Sequence, residues 1–149
     1  MDLVGDDGTR VILAGVDGSP SSLRAGVYAA GMARRQRSWL VIVYVVCLPT
    51  LGCFAPDGAA LTLDATLDAT EALRQEVLAS ITPFGIDVVF RAETGDPAAV
   101  IARVATEMRA DLVVVGASSR LGRRLARLLV GSVAGGLVRT GRWPVTIVP

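Results

Sequence analysis

The chain has 149 residues, 52% apolar and 19% charged, and its fifteen basic and fourteen acidic side chains leave a net charge of +1. That composition lies outside the disordered regime and suits one domain over 1–149 with a flexible tail at 1–9; the near-zero charge offers nothing to draw nucleic acid or an anionic membrane. All basic residues are Arg, and Lys, His and Asn are absent, which excludes Ser-His-Asp and Cys-His catalysis, histidine-ligated zinc, Schiff-base chemistry and a P-loop lysine.

In chain order, Val11 to Val16 is a short apolar run ended by Asp17-Gly18-Ser19-Pro20, the pattern of a buried strand feeding a helix start. From Ser21 to Arg37, Leu23, Val27, Ala30 and Ala33 recur at helical spacing, and Arg34, Arg35 and Arg37 crowd the last turn, where cations suit the helix dipole. Leu40 to Val46 is nearly continuous in branched apolar residues, as in strands of a parallel sheet covered on both faces. Pro49 to Ala60, with two prolines and two glycines, reads as an exposed loop, and Leu63 to Ile81 as a helix with Leu73, Val77 and Ile81 in register.

Ile86 to Ala92 is expected to be a third strand. Gly95-Asp96-Pro97 then offers a helix an N-cap and a proline at its first position, and Ile101, Val104, Ala105 and Met108 form its apolar stripe. Leu112 to Val115 is a fourth strand, Ser132 to Thr140 a last helix and Val145 to Val148 a fifth strand. The alternation predicts an α/β fold with right-handed βαβ units around a parallel sheet; the expected arrangement is an open five-stranded parallel sheet with helices on both faces, Rossmann-like or flavodoxin-like, in strand order 3-2-1-4-5.

Cys47 and Cys53 lie six positions apart, which matches neither a zinc ribbon nor a C-x-x-C redox pair, and they read as reduced thiols. The apolar stretch Trp39 to Leu48 is too short to span a bilayer, and Met1 to Arg10 is acidic, unlike a signal peptide, so a cytoplasmic location is expected.

Small and polar residues collect at the strand ends, where open α/β sheets bind ligands. Gly15 and Asp17 mark the first strand, Gly116 to Gly122 follow the fourth, and Gly131-Ser132-Val133 open the last helix. Bare backbone N–H groups, hydroxyls and a helix N-terminus are what a phosphate chain needs. The segment is not a P-loop, since five residues separate Gly116 from Gly122 and Arg123 stands where Lys is required; nor does Gly15-Val16-Asp17-Gly18 continue as a dinucleotide fingerprint. Each residue also has a plain structural reading: Asp17 as a turn carboxylate, Ser132 as an N-cap, Val46 as core, and Arg120, Arg123, Arg124 and Arg127 as a solvated face.

Val113-Val114-Val115-Gly116, Leu128-Leu129-Val130-Gly131-Ser132-Val133 and Pro144-Val145-Thr146-Ile147-Val148, with Val16-Asp17-Gly18-Ser19 and Gly95-Asp96-Pro97, resemble the universal stress protein family over almost the whole chain. The resemblance implies a non-enzymatic stress-response protein that binds ATP, or another adenine nucleotide, as a regulatory or sensor ligand, with magnesium held only through the nucleotide. It implies Gly15 and Asp17 against the adenosine, Val46 beside adenine, and Gly116, Ser118, Ser119, Arg120, Gly131, Ser132 and Val133 around ribose and phosphates. It also implies a homodimer through Val145 to Val148. The chain departs from the family's ATP motif: fourteen residues separate Gly116 from Gly131 where the motif has twelve, and Ser119 or Leu121 stands where its second glycine belongs. The alternative is therefore a nucleotide-free dimeric interaction module whose altered loop no longer binds ATP.

Overall fold

The computed structural model describes residues 10–46, 62–117 and 132–149. The elements are β1 (Val11–Val16), α1 (Pro20–Gln36), β2 (Trp39–Val46), α2 (Leu63–Ile81) with a 3-10 turn (Thr82–Phe84), β3 (Val88–Thr94), α3 (Pro97–Glu107), β4 (Leu112–Gly116), α4 (Ser132–Thr140) and β5 (Val145–Val148). The strands form one parallel sheet in the order β3-β2-β1-β4-β5. This is the architecture expected from the alternation of elements.

All six residues of β1 are buried, as befits a central strand covered on both faces. The alternation of its side chains divides the core in two. Val11 and Leu13 join Val41 and Val43 of β2, Ile101 and Val104 of α3, and Leu137 of α4. Ile12, Ala14 and Val16 join Leu40 and Ile42 of β2, Ala29 and Ala33 of α1, and Leu73, Val77 and Ile81 of α2. Helices α1 and α2 therefore cover one face, and α3 and α4 the other.

The helix starts follow local chemistry. Ser19 caps α1 by accepting from Ser22 N–H at 3.3 Å, with Pro20 in the first turn. Asp96 caps α3 by accepting from Ala99 N–H at 2.9 Å, again with proline following.

Three expectations need correction. Arg37 does not belong to α1: it adopts a left-handed conformation (φ 53°), and Ser38 N–H reaches back to Ala33 C=O at 2.9 Å. The energy that closes the helix end offsets the roughly 1 kcal/mol cost of that geometry in a residue with a Cβ.

The buried face of α1 keeps Ala30 and Ala33 of the expected stripe, with Leu23 packed at its margin, but not Val27. Ser22, Ala25, Gly26, Ala29 and Ala33 face the sheet, and Val27 is exposed. Small side chains let this helix lie close on the strands: a Cβ on Gly26 would already touch Val16 at 3.7 Å.

Strand β3 is displaced two residues from Ile86 to Ala92, because its register with β2 runs from Leu40 opposite Val88 to Val46 opposite Thr94. It thus carries Arg91 and Glu93 on the sheet edge, where they pair with Glu107 and Arg103 of α3. The expected stripe on α3 holds at Ile101, Val104 and Ala105; Val100 is buried as well, and Met108 is the C-cap, packed at the core margin.

Among the described residues no helix is long and apolar enough to cross a membrane. The tail 1–9, the loop Pro49 to Ala60, and Cys47 and Cys53 lie outside the described residues.

Candidate functional site

Strand order reverses between β1 and β4, which are adjacent in the sheet yet leave toward opposite edges. The chains leaving them diverge, so a crevice at their carboxyl ends is a consequence of topology. Its described rim consists of Gly15 to Ser22 on one side and Gly116-Ala117 on the other.

The start of α1 lies across this crevice. Ser21 Oγ–H donates to Ala117 C=O at 2.6 Å, tying the first turn of the helix to the chain leaving β4. Gly116 permits the contact: a Cβ there would stand 2.6 Å from both the carbonyl carbon of Ser21 and the nitrogen of Ser22. Gly15 has a matching role on the opposite face, where an added Cβ would meet Ile101 Cδ1 at 2.7 Å. Both glycines are thus accounted for by packing, whatever else approaches their backbone.

Asp17 is exposed at the rim. Its backbone N–H donates to Ser22 Oγ at 3.1 Å, and its Oδ1 accepts from Ser19 N–H at 2.9 Å, an Asx turn that leads through Gly18 (φ 85°) into the cap of α1. Ser22 Oγ–H in turn donates to Ser19 C=O at 3.0 Å. The carboxylate is therefore held by a closed network of short bonds while remaining open to solvent. It is an acceptor-only group and suits the amino and hydroxyl donors of a nucleoside.

Val46 closes β2 as a core residue, 9% exposed, opposite Thr94. Val133 packs against the core on the α3 and α4 face, and Ser132 opens α4. Ser118, Ser119, Arg120 and Gly131 lie outside the described residues, as do Leu121, Gly122, Arg123, Arg124 and Arg127. The described residues of the crevice thus present a fixed carboxylate at the switch point beside bare backbone.

Sequence reasoning did not single out Ser21, Ser22, Tyr44 or Thr70. Tyr44 stands opposite Val16 in the β1–β2 register. Burial raises its phenol pKa above the ordinary 10.0, the charge of Asp17 raises it further, and hydrogen bonding with Thr70 opposes both. The serine cluster after Asp17-Gly18 and the one tyrosine within an aliphatic strand were the available signals.

A groove of about 490 Å³ lies elsewhere, along α1, lined by apolar residues including Leu23, Val27, Tyr28, Val77 and Val148. Trp143 packs against the core beside β5.

The family model described as the universal stress protein family matches residues 8–149. A putative universal stress protein of Staphylococcus aureus is 34% identical over 141 residues, covering 92% of this chain and 82% of the relative. The crystal structure of a universal stress protein family member from Burkholderia pseudomallei superposes with a TM-score of 0.71 at 26% identity, over 95% of this chain and 96% of that one. A universal stress protein crystallised in complex with cAMP superposes with a TM-score of 0.69 at 28% identity, over 93% and 95% of the two chains. With the sheet order, the strand-end crevice and near-complete coverage in agreement, this chain belongs to the universal stress protein family.

Proposed function

We propose that this protein binds an adenine nucleotide, ATP in the first instance, at the carboxyl ends of β1 and β4 as a regulatory ligand of the stress response, and that it is not an enzyme. The observation that carries the reading is the exposed, hydrogen-bonded carboxylate of Asp17 at the topological switch point. The related protein crystallised with cAMP supports an adenine ligand for the fold. In this reading Asp17 and the backbone at Gly15 meet the nucleoside and Val46 borders the base. Gly116, Ser118, Ser119, Arg120, Gly131, Ser132 and Val133 surround the ribose and phosphates. Bound ATP would bring its own magnesium; the chain's residues bind and orient the nucleotide.

The same reading makes the protein a cytoplasmic homodimer joined through β5. Strand β5 is the last of the sheet, and its outer edge offers N–H and C=O groups for pairing. Apolar residues flank it in both helical layers: Val27 and Tyr28 of α1 on one side, Val138 of α4 and Ile147 of β5 on the other, all more than a third exposed. A second copy would bury both sets at once.

Thermal unfolding with ATP and magnesium tests the ligand. At a hundred times its dissociation constant the nucleotide adds about 2.7 kcal/mol of stability. An unshifted transition at millimolar ATP would instead support the nucleotide-free interaction module, which the packing explanations of Gly15 and Gly116 favour.

A further inference from the structure

The arginines are not spread evenly over the fold. Among the described residues, Arg24, Arg74, Arg91 and Arg103 are held by the protein itself, through Pro149 C=O and the carboxylates of Glu71, Glu93 and Glu107. The other seven are exposed, and none is in an ion pair with a described carboxylate. All seven gather at the amino ends of the strands, opposite the crevice. Arg37, Arg10, Arg109 and Arg142 stand one to three residues ahead of β2, β1, β4 and β5, and Arg34, Arg35 and Arg139 lie in the last turns of α1 and α4.

Those four strands are neighbours in the sheet, and backbone bonds continue the pairing past their ends. Trp39 N–H donates to Arg10 C=O at 2.9 Å, and Asp111 N–H to Val11 C=O at 2.8 Å. With strands about 4.8 Å apart, the four arginine-bearing segments form a row roughly 14 Å across. Helix dipoles favour cations at helix ends, yet that does not account for Arg37 (φ 53°) and Arg109 (φ 51°), which both carry a Cβ in the left-handed region. Gly85 and Gly141, both at φ 62°, fill the corresponding positions after the 3-10 turn and α4 without that cost. The carboxylates at this end are Asp87 and Asp111, whose Oδ2 already accepts from Val11 N–H at 2.8 Å; Glu107 is taken by Arg91 and Arg103. Even with Asp2, Asp6 and Asp7, which precede Arg10 in sequence, seven arginines outnumber five aspartates.

Both tryptophans of the chain share this end. Trp39 opens β2 and Trp143 follows Arg142, each partly exposed and each packed against the core layer of α3 and α4. Guanidinium forks match phosphate oxygens, and an indole gives a base a surface to stack on. Charge alone suits any polyanion; the indoles within the row favour one that carries aromatic bases.

We propose that the amino-end pole of the sheet is a binding surface for single-stranded nucleic acid, its arginine row meeting phosphates and Trp39 and Trp143 meeting bases. The near-zero net charge conceals the surface because Asp17, Asp64, Asp68 and Asp96 lie toward the opposite end, at the starts of α1, α2 and α3. The inference does not rest on the nucleotide reading, whose crevice is at the other end of the strands.

The test is fluorescence anisotropy with a labelled oligouridine over a range of salt, with tryptophan emission followed in parallel. The parent binds, less tightly as salt rises, and its tryptophan emission is quenched. Arg37→Gly combined with Arg109→Gly removes two cations and relieves the backbone at both positions, so the urea midpoint does not fall. Affinity drops on the order of tenfold, and the slope of log affinity against log salt falls by about 1.4. Arg24→Gln combined with Arg74→Gln removes the same charge away from the pole and binds as the parent does. No binding at low salt, equal losses in the two double variants, or binding that leaves tryptophan emission unchanged overturns the proposal. Displacement of the oligonucleotide by an equal charge of polyglutamate overturns it as well, since the surface would then read charge alone.

Discussion

Gly116 at the end of β4 and Ser21 in the first turn of α1 are in backbone contact: the space a Cβ on Gly116 would occupy lies 2.6 Å from the Ser21 carbonyl carbon. The Ser21 hydroxyl reinforces the approach through its bond to Ala117 C=O. The glycine that the family motif assigns to a ligand is thus also the seat of the helix that begins at the ligand crevice.

Gly116→Ala is expected to be among the most destabilising single changes at the crevice. The clashing atoms are all main chain and cannot rotate away, so helix α1 must lift from the sheet, at a cost of about 2–3 kcal/mol. Urea unfolding measures it; a loss within experimental error would show that α1 does not sit as described.

Gly15→Ala meets a different obstacle. The nearest atom is Ile101 Cδ1 at 2.7 Å, the far end of a side chain, with Val115 Cγ1 next at 3.3 Å. The change is expected to cost about 1–2 kcal/mol, and Ile101→Val, which removes the offending methyl, to recover at least about 0.5 kcal/mol of it in the double variant. Additive losses in the cycle would contradict the contact.

The edge strand β3 is tied to α3 by alternating charges. Arg91 pairs with Glu93 and Glu107, and Arg103 with the same two carboxylates at 2.9 and 2.7 Å. Hydrogen bonds from Arg103 first and Arg91 second hold both carboxyl pKa values below the ordinary 4.5. A carboxyl whose folded pKa is depressed contributes stability above its unfolded pKa and loses it as pH falls through the folded value. Carbon-detected titration should therefore show Glu93 and Glu107 protonating below pH 4.5, and Arg103→Ala should move both upward. The groups are partly exposed, so salt should weaken the effect.

Ile147 is 39% exposed on the terminal strand. In a homodimer joined through β5, Ile147→Arg places a charge in the joint and is expected to halve the mass seen by light scattering, whereas Leu67→Arg on α2 leaves it unchanged. A dimer that survives Ile147→Arg would place the interface elsewhere.

The periodicity of short apolar runs and helix caps was enough to establish the element order and, with it, a parallel sheet of βαβ units. Ser19-Pro20 and Asp96-Pro97 announce their helices because a cap and an N-terminal proline act over three or four residues. The location of the crevice was legible for the same reason, since it follows from topology.

What packing decides was not legible. The inward face of α1 is made of serine, alanine and glycine, and Val27, which periodicity assigns to the core, is exposed; how near a helix lies to its sheet depends on both surfaces. Strand β3 runs on past Ala92 to Glu93 and Thr94, with Glu93 paired to Arg103 of α3, 10 residues away in sequence. Tyr44 comes to lie opposite Val16, beside Asp17, through strand register, and Gly15 and Gly116 are bare because Ile101 and Ser21 fill their space. Sequence alone determined which elements form and where their ends gather, because those rest on local hydrogen bonding and hydrophobic period; tertiary structure alone decided which side chains share that space, because contact between distant segments is set by close packing in three dimensions.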